Sequence, residues 1–263
     1  MKILGVADFT IDAIYRNSEF IKFDGGQTAF NVLYNLNHYY GYKTFAYGNM
    51  SADNIGIECA KLFEKQGTNI ECLNKKYKHA RILHNKVISF NEKTQNEYYS
   101  TSCFECGKNY FSKTKPISFN KKILQKNHFD IAVFDKPNKD RVKIANYLNS
   151  NGTICFLDLG YYSYFKHLSN KKLLQTLNNF TFAFIQLNER VSEYLKERLG
   201  ITSDNDLFSL LNCKFMSITH GKEGTEIFWC EKDGHIISQN ISYKIENVVD
   251  SIGAGDAFLA GTI

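Results

Sequence analysis

Residues 248–263 read VVDSIGAGDAFLAGTI. Gly253, Ala254 and Gly255 stand between two carboxylates, Asp250 and Asp256, and an apolar run of helical character follows at once. Small residues leading into a helix let backbone N–H groups approach an anion closely, and the unsatisfied first amides and the helix dipole attract negative charge. The stretch therefore predicts an anion hole at Gly253, Ala254 and Gly255. A carboxylate such as Asp256 at that helix start has two readings, a structural cap or a general base beside the bound anion. The local pattern weighs them evenly.

Outward from this stretch, the chain alternates strand-length apolar runs with amphipathic helical segments. Residues 3–7 read as a buried parallel strand. In 27–40, Ala29, Leu33, Leu36 and Tyr40 fall at i, i+4, i+7 and i+11, and Gly41 follows as a stop, which predicts a helix. TFAYG is a short strand, 54–66 a helix ended by Gly67, and 70–73 a further strand. The cadence resumes with strands in DIAVF, TICFLD and FTFAFIQ and helices over 139–150, 171–178 and 189–199. KFMSITHG is then followed by TEIFWC and HIISQNI, a hairpin turning through EKDG. Such alternation implies right-handed βαβ units. The fold class is α/β, a doubly wound, mainly parallel sheet. Two stretches break the cadence, 15–23 and 80–101, with NEKTQNE (91–97) as a hairpin connection. They predict a small antiparallel flap inserted in a single domain spanning 1–263, with lid segments at about 15–24 and 80–102. Pro116 and Pro137 mark no domain boundary.

Composition narrows the function classes. The 263 residues are 43% hydrophobic and 22% charged, ordinary globular values, and no apolar run reaches membrane-spanning length. MKILGVADFT meets Asp8 too soon for a signal peptide, so a cytoplasmic protein is expected. The seven cysteines are odd in number and scattered, which argues for reduced thiols; Cys103 and Cys106 form a CxxC with no second pair at zinc-site spacing. A net charge of +5 is spread along Lys-rich faces, which disfavours a nucleic-acid stripe and suits an anionic small molecule. No G-x-x-x-x-G-K-[ST] occurs, which disfavours a P-loop enzyme.

Taken whole, Asp-Ser-x-Gly-Ala-Gly-Asp-Ala-Phe resembles the signature of the ribokinase, or PfkB, family of carbohydrate kinases. Other landmarks follow in family order. ADFTIDAIY resembles the first strand with its substrate-binding aspartate, FDGGQTAFNVLYNL the Gly-Gly helix motif, and ITHGKEGTEIF the Thr-x-Gly-x-x-Gly nucleotide turn. GNMSADNIGIECAKLFEKQG has the family's helix spacing, so the likeness runs along nearly the whole chain.

The resemblance implies an ATP-dependent transfer of the γ-phosphoryl group to a hydroxymethyl of a sugar or sugar derivative. Asp256 matches the catalytic base, and Gly253, Ala254 and Gly255 match the hole for the transferring group. Substrate contacts are implied at Asp12, Gly25, Gly26 and Asn31, with Asp8 nearby; carboxylates and amides suit paired hydrogen bonds to hydroxyls. Taken singly, Gly25 and Gly26 are as well explained as a helix start. Tyr98, Tyr99 and Phe104 of the flap are candidates to cover the sugar, although tyrosines in sheets more often only pack. Nucleotide contacts are implied at Thr219, Gly221, Lys222 and Gly224, and at Asn188 of LNERVSE. The family's Asn-x-x-Glu element is imperfect, with Val191 where Glu belongs, so either Glu189 or Glu193 is the candidate for ordering Mg2+ and its waters, or the site is altered. Asp250 and Ser251 match a monovalent-cation (K+) site, and Asp250 is a second candidate metal ligand.

Three further expectations follow from the likeness. FLDLGYYSYF, the length and the flap resemble fructoselysine 6-kinase-like members most, and a homodimer is expected to form through the flap. Relatives continue past the helix after Asp256, whereas this sequence stops at Ile263, which implies that part of the family's adenine wall lies outside it and that Phe258 and Leu259 face solvent. Val191 and the missing wall favour the alternative function, a degenerate homologue that binds sugar or nucleotide without turnover; Asp256 and its glycines oppose it.

Overall fold

The apolar run after Met1 folds as β1 (Lys2–Asp8), in which Ile3, Leu4, Val6 and Ala7 have no exposed surface. The computed structural model describes residues 1–16, 19–77, 84–88, 97–100, 107–108, 115–160, 165–179, 181–242 and 253–263. They form two compact units, Met1–Ile123 and Leu124–Ile263.

In the first unit β1 leads into β2 (Thr10–Arg16) and β3 (Glu19–Gly26), then α1 (Thr28–Tyr40), β4 (Lys43–Ser51), α2 (Asn54–Lys65), β5 (Thr68–Asn69), β6 (Leu73–Tyr77), β7 (His84–Ile88) and β8 (Glu97–Ser100). The helical period of 27–40 is realised, with Ala29, Leu33 and Leu36 fully buried and Gly41 closing the helix at φ 66°, a left-handed conformation that glycine adopts without strain. Tyr40, the last residue of the expected stripe, is exposed. Asp53 caps α2 by accepting from the Gly56 N–H at 2.9 Å. β1 pairs with β4 in parallel, Lys2 opposite Lys43 through Asp8 opposite Asn49, and β5 and β6 add to β4 in parallel. The strand expected over 70–73 is instead split into β5 and β6 around a turn.

The flap is a separate four-stranded sheet in the order β3-β2-β7-β8. It differs from expectation in two ways. It begins at Thr10 rather than Tyr15, so Asp12 lies on a flap strand and not at the end of β1; and β2 pairs with β7 in parallel, so the sheet is mixed. Hairpin signals are local, whereas the β2–β7 pairing joins strands about 70 residues apart and leaves no local mark. Tyr47 of β4 ties in residues 118–120: its hydroxyl donates to Ser118 O at 2.7 Å and accepts from the Asn120 N–H at 2.8 Å. Burial pushes this phenol up to about 12, against the lowering effect of the Asn120 hydrogen bond. The hairpin connection 91–97 lies mostly, and Cys103, Phe104 and Cys106 wholly, outside the described residues.

The unit boundary falls within α3 (Lys121–Asn127). The second unit continues β9 (Ile131–Phe134), α4 (Lys139–Ser150), β10 (Ile154–Asp158), α5 (Asn170–Asn178), β11 (Phe182–Asn188), α6 (Glu189–Leu199), α7 (Asp204–Leu210), β12 (Cys213–Thr219), β13 (Thr225–Cys230), β14 (Ile236–Ile241) and α8 (Ala254–Gly261). β9, β10, β11 and β12 are parallel; β13 and β14 form the expected hairpin, and β13 also pairs antiparallel with β12, which makes a three-stranded meander. No described helix is long and apolar enough to cross a membrane. The described cysteines, Cys59, Cys72, Cys155, Cys213 and Cys230, are free thiols, and burial pushes that of Cys155 far up.

Strand register aligns Phe156, Phe184, Phe215 and Trp229 in one row across β10, β11, β12 and β13. They floor a cavity of about 1050 Å³ that Ile154 and Thr262 also line. Ile154 is 50% and Phe215 44% exposed. Apolar surface in such a row binds hydrophobic dyes. Phe215→Ser is therefore expected to lower the fluorescence of 1-anilinonaphthalene-8-sulfonate bound to the folded protein; unchanged dye binding would place the reporter elsewhere.

Candidate active site

In the first unit two of the implied substrate residues, Asp12 and Gly26, meet near the start of β2. Asp8 closes β1 with 1% of its surface exposed, and register sets it beside the fully buried Asn49. Thr10 and Asp12 alternate with apolar Ile11 along β2 and so share one face. Gly26 lies directly opposite Thr10. A Cβ there would sit 2.4 Å from Asp12 Oδ1 and 2.5 Å from Thr10 Oγ1, so only glycine leaves this cradle open. Thr10 is fully buried, and its hydroxyl has no hydrogen-bond partner among the described residues.

The two adjacent glycines do different work. Gly25 has its N–H bound by Asp24 Oδ1 at 2.9 Å, and a Cβ would lie 1.8 Å from the ring of Phe30, which packs edge-on to Phe63 with centroids 4.3 Å apart. Gly25 admits a core ring, whereas Gly26 leaves room beside the polar atoms of Thr10 and Asp12. Both lie within β3, not at a helix start. Gln27 follows at φ 79° and ψ 150°, a region costing a non-glycine residue about 1–3 kcal/mol, and such strain collects at functional sites. Asn31 is half-buried in the first turn of α1; its N–H donates to Gln27 O at 3.2 Å and its carbonyl accepts from Asn35 Nδ2 at 2.8 Å.

In the second unit β12 ends at Thr219, whose hydroxyl reaches Leu187 O at 3.5 Å, and the chain turns through a 3-10 segment, Gly221–Glu223, into β13. The turn is closed by the His220 N–H on Gly224 O at 2.8 Å. Gly224 sits at φ 102°, and a Cβ would lie 2.4 Å from Ile241 O, so the turn requires glycine twice over. Lys222 is 91% exposed, with Glu223 Oε1 at 3.8 Å.

Asn188 is used as a cap: its Oδ1 accepts from the Val191 N–H at 3.0 Å while its Nδ2 donates to Gly160 O at 2.9 Å. Val191 is 1% exposed, an apolar core position where the family pattern has a carboxylate. Glu189 opens α6 and meets His220 Nδ1 at 3.4 Å. Among the described residues no group of three His, Cys, Asp or Glu stands together to hold a metal ion. Magnesium used with a nucleotide is held through one or two carboxylates together with substrate phosphates and water, so a three-residue protein cage is not what such a site requires. Asp250 and Ser251 lie outside the described residues.

α8 is the remaining piece. Gly253, at φ 76°, caps it without a side-chain hydrogen bond, and the Ala257 N–H bonds back to Gly253 O at 2.8 Å. Ala254, Gly255 and Asp256 are its first three residues, so their N–H groups are the ones an α-helix leaves for an outside acceptor. The half-buried Asp256 stands one turn beyond the cap position. Leu259 is fully buried and Ala260 2% exposed, which corrects the expectation that Leu259 faces solvent; Phe258 is half-buried. Under the first turn, Gln186 of β11 donates from Nε2 to Gly255 O at 3.0 Å. Sequence reading missed Gln186, Thr10, Asn49 and His220. Thr10 alone had a signal, the alternation Thr10–Ile11–Asp12.

No family model matches the sequence, and no curated protein matches it. Solved structures do. The chain resembles fructokinase with bound ATP from Xylella fastidiosa at a TM-score of 0.77 and 15% identity, covering 99% of this chain and 79% of that one. It resembles the nucleoside kinase of Methanocaldococcus jannaschii, an archaeal member of the ribokinase family, at 0.68 and 18%, covering 99% and 82%. Ribokinase from Thermotoga maritima follows at 0.69 and 14%, covering 98% and 83%. At these identities the likeness establishes the fold, the ribokinase-like α/β architecture expected from the sequence.

Proposed function

We propose that the protein is an ATP-dependent carbohydrate kinase that phosphorylates a hydroxymethyl group of a sugar or sugar derivative. The observation that carries this reading is Asp256 in the first turn of α8, one turn past a side-chain-free cap, among helix-start amides that have no acceptor within the helix.

In the proposed reaction Asp256 accepts the acceptor hydroxyl's proton as its oxygen bonds to the γ-phosphorus and the bond to the ADP oxygen breaks. The N–H groups at the start of α8 hold the phosphoryl oxygens as charge shifts onto the leaving group. Within the first unit, Asp12 and Thr10 beside Gly26 are the proposed contacts for sugar hydroxyls, with Asp8 and Asn31 as further candidates. The Thr219–Gly224 turn offers backbone to the nucleotide phosphates, and Lys222 supplies positive charge there. Asn188, engaged as a cap, serves by holding the end of β11. ATP bound to the fructokinase of the same fold supports nucleotide use.

The acceptor class within this reading is a ketose or a fructosamine such as fructoselysine, on the likeness of FLDLGYYSYF. A nucleoside is the competitor, because a nucleoside kinase has the same fold. ADP release measured across ketoses, fructosamines and nucleosides tests both levels: turnover on none removes the kinase reading, and turnover confined to nucleosides removes the ketose class. Buried Val191 favours a second reading, binding without turnover, which the same screen combined with calorimetry separates. A homodimer through the flap and a cytoplasmic location complete the proposal; Phe20 and Ile21 of flap strand β3, 48% and 53% exposed, support the first.

Asp12→Ala is expected to weaken sugar binding by about 1–3 kcal/mol, because hydroxyls brought to the Gly26 cradle lose a charged acceptor. ATP binding should move little. Unchanged sugar affinity by calorimetry would remove Asp12 from the site.

A further inference from the structure

The row of β10, β11 and β12 residues beside the aromatic one is polar and buried. Register sets Asp158 opposite Gln186 and Gln186 opposite Ser217, and these residues are 5%, 4% and 0% exposed. Gln186 Oε1 and Ser217 Oγ have no hydrogen-bond partner among the described residues. A leucine or methionine would fill the Gln186 position without leaving an unsatisfied carbonyl oxygen in the interior, so packing alone does not explain an amide there. Its Nε2 is the useful atom, donating to Gly255 O at 3.0 Å. A Cβ on residue 255 would lie 3.4 Å from that nitrogen, in van der Waals contact with it, so the amide packs directly against this turn.

We propose that Gln186 is a positioning residue: it pins the first turn of α8 to the sheet and so fixes the direction of the helix-start amides and of the Asp256 carboxylate. The geometry is specific to that turn. Gly255 is the second residue of α8 and Asp256 the third, so a small rotation about the pinned carbonyl re-aims both the amides and the carboxylate. Gly253 has no side chain to cap the helix, and the strand below holds the turn by a different bond, made to the Gly255 carbonyl and not to a helix-start N–H. Displacements of about 1 Å at reacting groups cost rate out of proportion to stability.

The catalytic consequence rests on the kinase reading above, so the test has one arm that does not. Gln186→Met keeps length and volume and removes the donor. Hydrogen exchange followed by mass spectrometry on the segment 253–263 should run at least tenfold faster in this variant, with the β11 and β12 segments unchanged and the melting temperature held or raised. If the protein phosphorylates a sugar, kcat should fall about 10- to 100-fold while KM for sugar and ATP stays within twofold. Gln186→Glu, which turns a carboxylate oxygen toward the Gly255 carbonyl, should lose more. Unchanged exchange in 253–263 would overturn the pin. Faster exchange with unchanged kcat would overturn its positioning role. A wild-type protein inactive on every acceptor would overturn the kinase reading and leave the pin decided by exchange.

Discussion

Asp256→Asn is expected to leave the fold intact and reduce phosphoryl transfer by at least ~100-fold, within the range of roughly 10²–10⁴ for removing a general base. Asn has nearly the same shape and still accepts hydrogen bonds, but it cannot take the acceptor hydroxyl's proton. Its stability cost is small: a carboxylate in the first turn of a helix gains about 0.3–1 kcal/mol from the dipole, and Gly253, not Asp256, holds the cap position. The discriminating measurement pairs the rate with the melting temperature. A fall in rate without a fall in melting temperature is the signature of the base. Near-native turnover in the Asn variant would reject that role and return Asp256 to helix stabilisation alone.

The largest stability effect is expected where no chemistry is proposed. Arg141, in the first turn of α4, is 1% exposed and donates from Nε to Asp135 Oδ1 at 2.7 Å and from Nη1 to Asp140 Oδ2 at 3.2 Å. Asp135 follows β9 and is 3% exposed, and Lys136 Nζ lies 3.9 Å from its other oxygen. Arg141→Met should destabilise the protein by about 3–5 kcal/mol, because removing one partner leaves a buried carboxylate whose desolvation was offset by the guanidinium. For a chain of this size that is on the order of 10 °C in melting temperature. The double variant Arg141→Met, Asp135→Asn should lose clearly less than the sum of the two single losses, since the uncompensated charge is then gone. Losses that add within ~0.5 kcal/mol would show that the pair is not coupled.

The elements that local chemistry specifies were legible in the sequence. The helices over 139–150 and 189–199 stand at the bounds their 3.6-residue pattern predicts, and Gly200 closes α6 at φ 68° as Gly41 closes α1. The β13–β14 hairpin turns at EKDG, as its turn residues require. The short helices α3 and α7, seven residues each, escaped notice because two turns carry too few apolar repeats to stand out. The glycines before Asp256 were readable as a helix start because backbone conformation is written in residue type over three or four positions.

Other features needed the tertiary structure, because they depend on what lies across from a residue rather than beside it in the chain. Gly25 and Gly26 look alike in FDGG, yet one faces the ring of Phe30 and the other the oxygens of Thr10 and Asp12. Asn188 has the composition of a ligand residue and the geometry of a cap. Val191 reads as a departure from a family pattern and proves to be core, and Leu259 reads as exposed and is buried. Gln186 is invisible in FIQLN, because its meaning is a hydrogen bond to Gly255, 69 residues later. The sequence by itself determined which segments become strands and helices and where the chain turns, since those follow from local periodicity and conformational preference. Only the tertiary structure decided which polar groups are buried, which of them find partners and which stay open, because burial and pairing are set by long-range register that no local pattern encodes.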